Sequence, residues 1–195
     1  MFTGIIKKLS TVEKVSKINE SLFVEISRPK GWKIWEGESI SMNGICSTVK
    51  KFNAKIFQVE YMPETIEKTT AGDWKKGTAV NLEKSLALKD LLDGHIVQGH
   101  IDTRGIVVGI RKDKKSKIIK IQIPTKFMRL VAEKGSVSVD GISLTVVDTG
   151  RDWFSVSLVS YTLENTNLGK IKIGDSVNIE TDVLAKYVDK LLRNK

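Results

Sequence analysis

The chain contains itself twice, and this constrains its fold more than any other feature. Asn43-Gly44-Ile45-Cys46-Ser47-Thr48-Val49 returns as Asp140-Gly141-Ile142-Ser143-Leu144-Thr145-Val146, a shift of 97 residues from 43 to 140. At the same shift and without a gap, MPETIEKTTAGDWKKGTAVNLE from Met62 matches VSYTLENTNLGKIKIGDSVNIE from Val159. Thr65, Thr69, Gly72, Gly77, Val80, Asn81 and Glu83 recur there, and Ser39 and Ser41 recur as Ser136 and Ser138. A weaker echo sets FTGII at the N-terminus against VQGHI, with Gly4 answering Gly99 at a slightly different shift. A register held over so long a span means two copies of one domain laid end to end. A chain of 195 residues has room for two small cores.

Each copy reads as all-β. Leu22, Val24 and Ile26 alternate with Phe23 and Glu25, and Phe57, Val59 and Tyr61 with Gln58 and Glu60. In the second copy Ile119, Ile121 and Ile123 alternate with Lys120 and Gln122, and Phe154, Val156 and Leu158 with Ser155 and Ser157. Period two means strands with one buried face. Gly-Asp, Asn-Gly and Asp-Gly steps supply the turns. About six short strands in roughly 90 residues cannot cover both faces of an open sheet, so closure into a small barrel is expected. The expected layout is all-β: two tandem six-stranded, Greek-key-like β-barrels over residues 1–95 and 96–182, plus a C-terminal α-helix over 183–195. Ser85 to Leu92 suits a short linking helix. In the tail Leu184, Tyr187, Val188, Leu191 and Leu192 share one helical face, with Lys186, Asp189, Lys190 and Arg193 opposite. That stripe either docks on its own barrel or forms a seam with other subunits.

Composition narrows the classes of function. A hydrophobic fraction of 41% argues against disorder. The single cysteine, Cys46, excludes an intrachain disulfide and points to a reducing, cytoplasmic setting. MFTGIIKKLS lacks the pattern of a signal peptide, and no apolar run reaches the roughly 20 residues of a membrane span. The net charge of +9 raises nucleic acid as a partner. The dense cluster from Arg111 to Lys117 fits an exposed hairpin turn, and no stacking aromatics interleave it, so neither nucleic acid nor membrane is expected.

No phosphate-cradling glycine loop occurs. His95, His100 and Cys46 could at most make a sparse metal site without the usual spacing. What stands out is a set of small hydroxyl and thiol residues at equivalent places: Ser39, Cys46, Thr48, Ser136, Ser143 and Thr145. Beside main-chain donors, such groups suit a heterocycle bearing a polyhydroxy chain. Any one of them taken alone reads more readily as an ordinary polar-face residue.

MFTGII, GESISMNGICSTV, MPETIEKTT, GHIVQGHID, KGSVSVDGISLTV and GDSVNIETDVLAKYV together resemble the riboflavin synthase family, in order and spacing and over essentially the whole chain. The resemblance implies a homotrimer of paired barrels joined through the C-terminal helices. It implies a dismutation of two molecules of 6,7-dimethyl-8-ribityllumazine, with transfer of a four-carbon unit and no metal or redox cofactor. Two similar pockets would face each other across subunits, N-barrel to C-barrel.

Carried over, the N-barrel pocket would use Gly4, Ile5 and Ile6 with Cys46, Ser47 and Thr48. Glu60, Tyr61, Met62, Pro63, Glu64 and Thr65 would form another wall, closed by Gly99, His100 and Ile101. The C-barrel pocket would use Lys134, Ser143, Leu144 and Thr145, walled by Val159, Ser160, Tyr161, Thr162, Leu163 and Glu164. Cys46 or Ser39 would assist nucleophilic addition to one lumazine, directly or through water. His100 would move protons at the reacting methyl group. Cys46 also suits a plain packing role, since free cysteines are often buried small hydrophobes.

Three departures from the family pattern stand out. Ser47 replaces the usual leucine, Asp93 a common glycine before the Gly-His step, and Ser160-Tyr161 the usual proline followed by histidine or glutamate. Two other readings compete: a non-catalytic lumazine- or flavin-binding module of the lumazine-protein kind, and a basic nucleic-acid-binding barrel. Both pockets are furnished here, which favours the enzyme over the first, and the missing aromatic platform weighs against the second.

Overall fold

The computed structural model describes residues 1–114 and 116–193. The N-terminal barrel comprises β1 (Lys8–Ile18), β2 (Ser21–Ser27), β3 (Ser39–Met42), β4 (Ile45–Phe52), β5 (Ile56–Tyr61) and β6 (Ala79–Lys84). The C-terminal barrel comprises β7 (Thr103–Asp113), β8 (Ser116–Gln122), β9 (Ser136–Val139), β10 (Ile142–Thr149), β11 (Trp153–Leu158) and β12 (Ser176–Thr181). Both close as antiparallel six-stranded barrels of one topology, in the orders β1-β2-β5-β4-β3-β6 and β7-β8-β11-β10-β9-β12. The alternating residues face inward as their period requires. Val24, Ile26, Phe57 and Val59 are buried in the first core, and Ile119, Ile121, Phe154 and Val156 in the second. Register slips at Val12/Lys14 and Val49/Lys51 recur at Val107/Gly109 and Val146/Asp148. These equivalent bulges bend the strands where closure demands it.

The Asn-Gly and Asp-Gly turns do more than reverse the chain. The Asn43-Gly44 and Asp140-Gly141 backbones pack on each other across a local pseudo-twofold axis. The Asn81 amide donates to the Asp140 carbonyl at 3.0 Å, and the repeat-equivalent Asn178 amide donates to the Asn43 carbonyl at 2.8 Å. Burial pushes the Asp140 carboxyl up to about 7, against hydrogen bonds from the Asn178 and Asn167 N–H groups.

Two expectations need correction. The Ser85–Leu92 linker is not helical; the Asp90 carboxylate accepts the Ala87 N–H at 2.9 Å and the Asp90 N–H returns to the Ala87 carbonyl, closing a turn. An eight-residue helix is marginal without a docking face, and Leu88 and Leu91 stand exposed. Conversely, each barrel wall contains a short helix that the strand pattern hides: α1 (Pro63–Lys68) and α3 (Ser160–Asn165), with α2 (Thr125–Met128) between them in the chain. In the basic cluster, β7 and β8 form the expected hairpin; Lys115 lies outside the described residues.

The tail forms α4 (Val183–Arg193), capped by the Asp182 carboxylate on the Leu184 N–H. Residues 194 and 195 of the expected tail helix lie outside the described residues. Its polar face turns toward the chain's own barrel, where Lys186 pairs with Asp102 at 2.8 Å and Asp189 with Arg129 at 3.0 Å. Leu184, Tyr187, Val188, Leu191 and Leu192 all point outward. Among the described residues no helix is long and apolar enough to cross a membrane.

Candidate active site

Each barrel is completed by an arm belonging to the other copy. Residues 2–6 leave the N-terminal barrel and lie along β10, where the Ser143 N–H donates to the Gly4 carbonyl at 2.8 Å. Residues 97–101 lie along β4, where the Cys46 N–H donates to the Gly99 carbonyl at 2.9 Å. Ile6 packs on the C-terminal core and Ile101 on the N-terminal one. Two buried glutamates hold the arms. Glu83 accepts the Thr3 and Gly4 N–H groups and the Thr3 hydroxyl, at 2.6 to 2.9 Å. Its repeat partner Glu180 accepts the Gln98 and Gly99 N–H groups at 2.7 and 3.0 Å. Burial raises both carboxyls, Glu180 to about 7.

Gly4 and Gly99 sit at φ +76° and +84°, a region L side chains rarely adopt. A Cβ on Gly99 would stand 2.5 Å from the Cys46 Cβ, and one on Gly4 2.6 Å from the Ser143 Cβ. The chain needs glycine at both for the arm to reach the strand.

Where the second arm meets the N-terminal barrel, a cleft of about 430 Å³ opens. Its floor is Ile45 and Cys46 of β4, its far side Gly99, His100 and Ile101, and its near wall Glu64, Thr65, Lys68 and Thr69. The Cys46 side is half-buried and His100 is exposed. Glu64 and Lys68 pair at 2.5 Å one helical turn apart, which lowers the carboxyl and raises the ammonium. The cleft thus offers a thiol, an imidazole, threonine hydroxyls and main-chain groups. That equipment suits many modest hydrogen bonds to a heterocycle and polyol.

The repeat shift places Ile142, Ser143, Tyr161, Thr162, Asn165, Thr166, Gly4, Ile5 and Ile6 at the corresponding positions of the C-terminal barrel. Gly4, Ile5 and Ile6 were expected beside Cys46; they lie instead on the C-terminal barrel, because the arms cross. Tyr161 and Asn165 stand where Glu64 and Lys68 stand, so this side lacks the ion pair.

The remaining expected residues divide by the face they occupy. Thr48 and Ser39 are cross-strand partners on the face that carries Cys46 and Ser41. Ser39 is half-buried, outside the cleft lining, and its carbonyl accepts the Ser85 hydroxyl. Ser47 and Tyr61 point into the barrel, hydrogen-bonded to each other at 2.7 Å, and the phenol is pushed well above its ordinary range by burial. They can offer a ligand only their main chain; Leu144 is likewise a core residue. Glu60 pairs with Lys50 at 2.5 Å, while Met62 and Pro63 form the exposed start of α1. Thr145 is exposed on β10, and Lys134 is exposed in the preceding turn with φ +63°, where the first copy has Gly37. Val159, Ser160 and Tyr161 are exposed at the start of α3, Thr162 is half-buried, Leu163 packs on the core and Glu164 faces out. Among the described residues no group of histidine, cysteine and carboxylates is placed to hold a metal.

Sequence reasoning missed Glu83, Glu180 and His95. The glutamates recur in the repeat, but an acidic residue in an alternating strand reads as solvent-facing until an arm covers it. His95 hydrogen-bonds the Ser143 hydroxyl at 2.7 Å, a contact spanning 48 residues with no local pattern to announce it.

Comparisons with known proteins agree with this architecture. The lumazine-binding domain model matches twice, over residues 3–85 and 98–182. The chain is 40% identical to the riboflavin synthase of Actinobacillus pleuropneumoniae, covering all of this chain and 91% of that one. It is 40% identical to that of Mycobacterium bovis, over all of this chain and 99% of the relative, and 36% to that of Bacillus subtilis, over 98% and 90%. Among solved structures, LumP complexed with riboflavin superposes with a TM-score of 0.87 and LumP complexed with 6,7-dimethyl-8-(1'-D-ribityl)lumazine with 0.84. Both are 24% identical and cover 93% of this chain and 99% of theirs, a likeness of fold.

Proposed function

The chain belongs to the lumazine-binding domain family and to its riboflavin synthases, and we propose that it catalyses the dismutation of two 6,7-dimethyl-8-ribityllumazine molecules to riboflavin and 5-amino-6-ribitylaminouracil. The observation that carries this reading is the pair of equivalent sites, Cys46 against Gly99 and Ser143 against Gly4, each built from one barrel and the other copy's arm. A reaction between two copies of one molecule calls for two similar pockets. A four-carbon unit passes from one lumazine to the other, so the two products together contain the atoms of the two substrates and no external oxidant is required.

In this reading the protein chiefly aligns two rings. Converting a bimolecular encounter into a unimolecular step can supply on the order of 7–11 kcal/mol of the barrier. Cys46, with Ser39 on the same strand face, assists addition to one ring directly or through water, and His100 moves the proton of the reacting methyl group. The main chain of Ser47 and the side chains of Thr48, Glu64 and Thr65 position the ligand of the N-terminal barrel; Ser143, Thr145, Thr162 and Lys134 serve the other.

We further propose a cytoplasmic homotrimer in which an N-terminal barrel faces a neighbour's C-terminal barrel. The outward apolar stripe of α4 supports it, since that surface is unsatisfied within one chain. Subunit exchange tests the split site. Cys46→Ala with Thr48→Ala, and Ser143→Ala with Thr145→Ala, should each abolish riboflavin fluorescence, and mixed trimers should recover part of it. Recovery of nothing in demonstrated mixed trimers would place the site within one chain. Lumazine binding without turnover by the unmodified protein would make it a binding module instead.

A further inference from the structure

The proposed chemistry leaves His95 unused, and its surroundings are unusual. The residue is only 8% exposed. Its N–H donates to the Thr3 carbonyl at 3.2 Å, tying it to the arm that Glu83 holds. The preceding residue has no room for a side chain: a Cβ on Gly94 would stand 2.1 Å from the Thr3 carbonyl oxygen and 3.0 Å from the Ser143 Oγ. The Gly94-His95 step is therefore pressed onto Ser143, and the imidazole Nδ1 meets the Ser143 Oγ at 2.7 Å. The other ring nitrogen, Nε2, is buried with no hydrogen-bond partner among the described residues.

We infer that His95 is a positioning residue for the C-terminal pocket: its Nδ1 accepts the Ser143 hydroxyl proton and so presents the Ser143 oxygen to the ligand as an oriented acceptor. The inference rests on the proposed use of Ser143 in ligand binding. A serine hydroxyl otherwise rotates freely between donating and accepting. Once its proton is committed to Nδ1, only its lone pairs remain, and they suit a ring N–H, a ribityl hydroxyl or a bound water.

Electrostatics favour the neutral ring this requires. Burial lowers the affinity of the ring for a second proton, so the imidazole stays neutral and Nδ1 keeps its lone pair. Asp182, the charged group that acts on the ring, opposes that effect more weakly.

The arrangement also separates two sites that the repeat makes alike. Cys46 occupies the position of Ser143, and no hydrogen bond to its thiol is found among the described residues. The chain's second histidine, His100, lines the N-terminal cleft from the position of Ile5. One histidine therefore attends each pocket, but from different places and on different partners. Two identical substrate molecules that must play opposite parts need such a difference.

The test reads the ring directly. With two histidines in the chain, imidazole ¹⁵N spectra of the intact protein can be assigned through His100→Gln. We expect His95 to titrate below the ordinary 6.5 and, once neutral, to hold the Nε2–H form, with the bias lost in Ser143→Ala. A ring that titrates near 6.5 with mixed tautomers would overturn the inference. In turnover, His95→Leu should cut kcat about tenfold with little change in KM, and His95→Asn, whose amide can place an acceptor near the Nδ1 position, should recover most of it. His95→Leu combined with Ser143→Ala should be no slower than Ser143→Ala alone; additive losses would mean that His95 acts independently of the serine. If the unmodified protein forms no riboflavin, the proposed function fails, while the spectra still decide how Ser143 is held.

Discussion

Phe2 and Val97, equivalent residues of the two arms, hydrogen-bond to each other: the Phe2 N–H reaches the Val97 carbonyl at 2.7 Å and the Val97 N–H returns to the Phe2 carbonyl at 3.1 Å. Both are almost wholly buried. From this crossing the arms diverge, residues 2–6 onto the C-terminal barrel and residues 97–101 onto the N-terminal one. Neither pocket can form without the other copy, so the duplication makes one unit rather than two independent domains.

The arm geometry should be intolerant of a single methyl group. Gly99→Ala places a Cβ against the Cys46 backbone and at positive φ, and should cost about 2–4 kcal/mol in chemical denaturation. Gly77→Ala shares the positive φ but meets nothing within 4 Å, and should cost about 1 kcal/mol. Equal losses would show that packing against Cys46 contributes nothing.

Stability should fall as pH rises across the acidic to neutral range. The Glu180 carboxyl is raised from its ordinary 4.5 to about 7 in the folded chain, so the folded state holds a proton that the unfolded state has released between those values. The contribution is fully present below about 4.5 and lost as pH passes about 7, on the order of 3 kcal/mol. Asp140, also raised to about 7, acts in the same direction. Glu180→Gln should flatten this slope in denaturation curves taken at several pH values. It should also lower stability outright, because its NH₂ would face an arm N–H group.

Removing the residues after Asp182 should give a monomer that keeps its β-rich circular dichroism. The ion pairs lost with α4 are partly exposed and contribute little, about 1 kcal/mol or less each. A double substitution, Leu184→Glu with Leu191→Glu, leaves Lys186 and Asp189 in place and should dissociate the assembly just as well. Sedimentation of either variant as a trimer would put the seam elsewhere.

Steady-state kinetics should separate the residues of the N-terminal cleft. Cys46→Ser keeps a hydrogen-bonding group and should slow turnover mildly, with Cys46→Ala slower still. His100→Gln should reduce kcat about tenfold or more while moving KM less. Unchanged rates in all three would leave the cleft as a binding site only.

Much of this molecule was legible in one dimension. Period-two alternation marked Val24, Phe57, Ile121 and Phe154 as inward-facing, because a strand's two faces are a local property of the backbone. The repeat announced two barrels of one topology, and the shared Ser, Cys and Thr positions picked out β4 and β10. The 3.6-residue period of the tail marked its apolar stripe. What the tertiary structure alone decided was which surfaces meet over long separations. Gly4 links the two barrels: its N–H is held by the buried carboxylate of Glu83, about 80 residues along the chain in its own barrel, and its carbonyl accepts the Ser143 N–H of the other. Ser47 and Tyr61 face inward although Cys46, next to Ser47 in the chain, meets the cleft, and His95 finds Ser143 only once the arm carrying Gly4 is in place. Periodicity tells which way a side chain points relative to its own strand. It is silent on what the rest of the chain lays across that strand, and here the crossing of two arms makes the site.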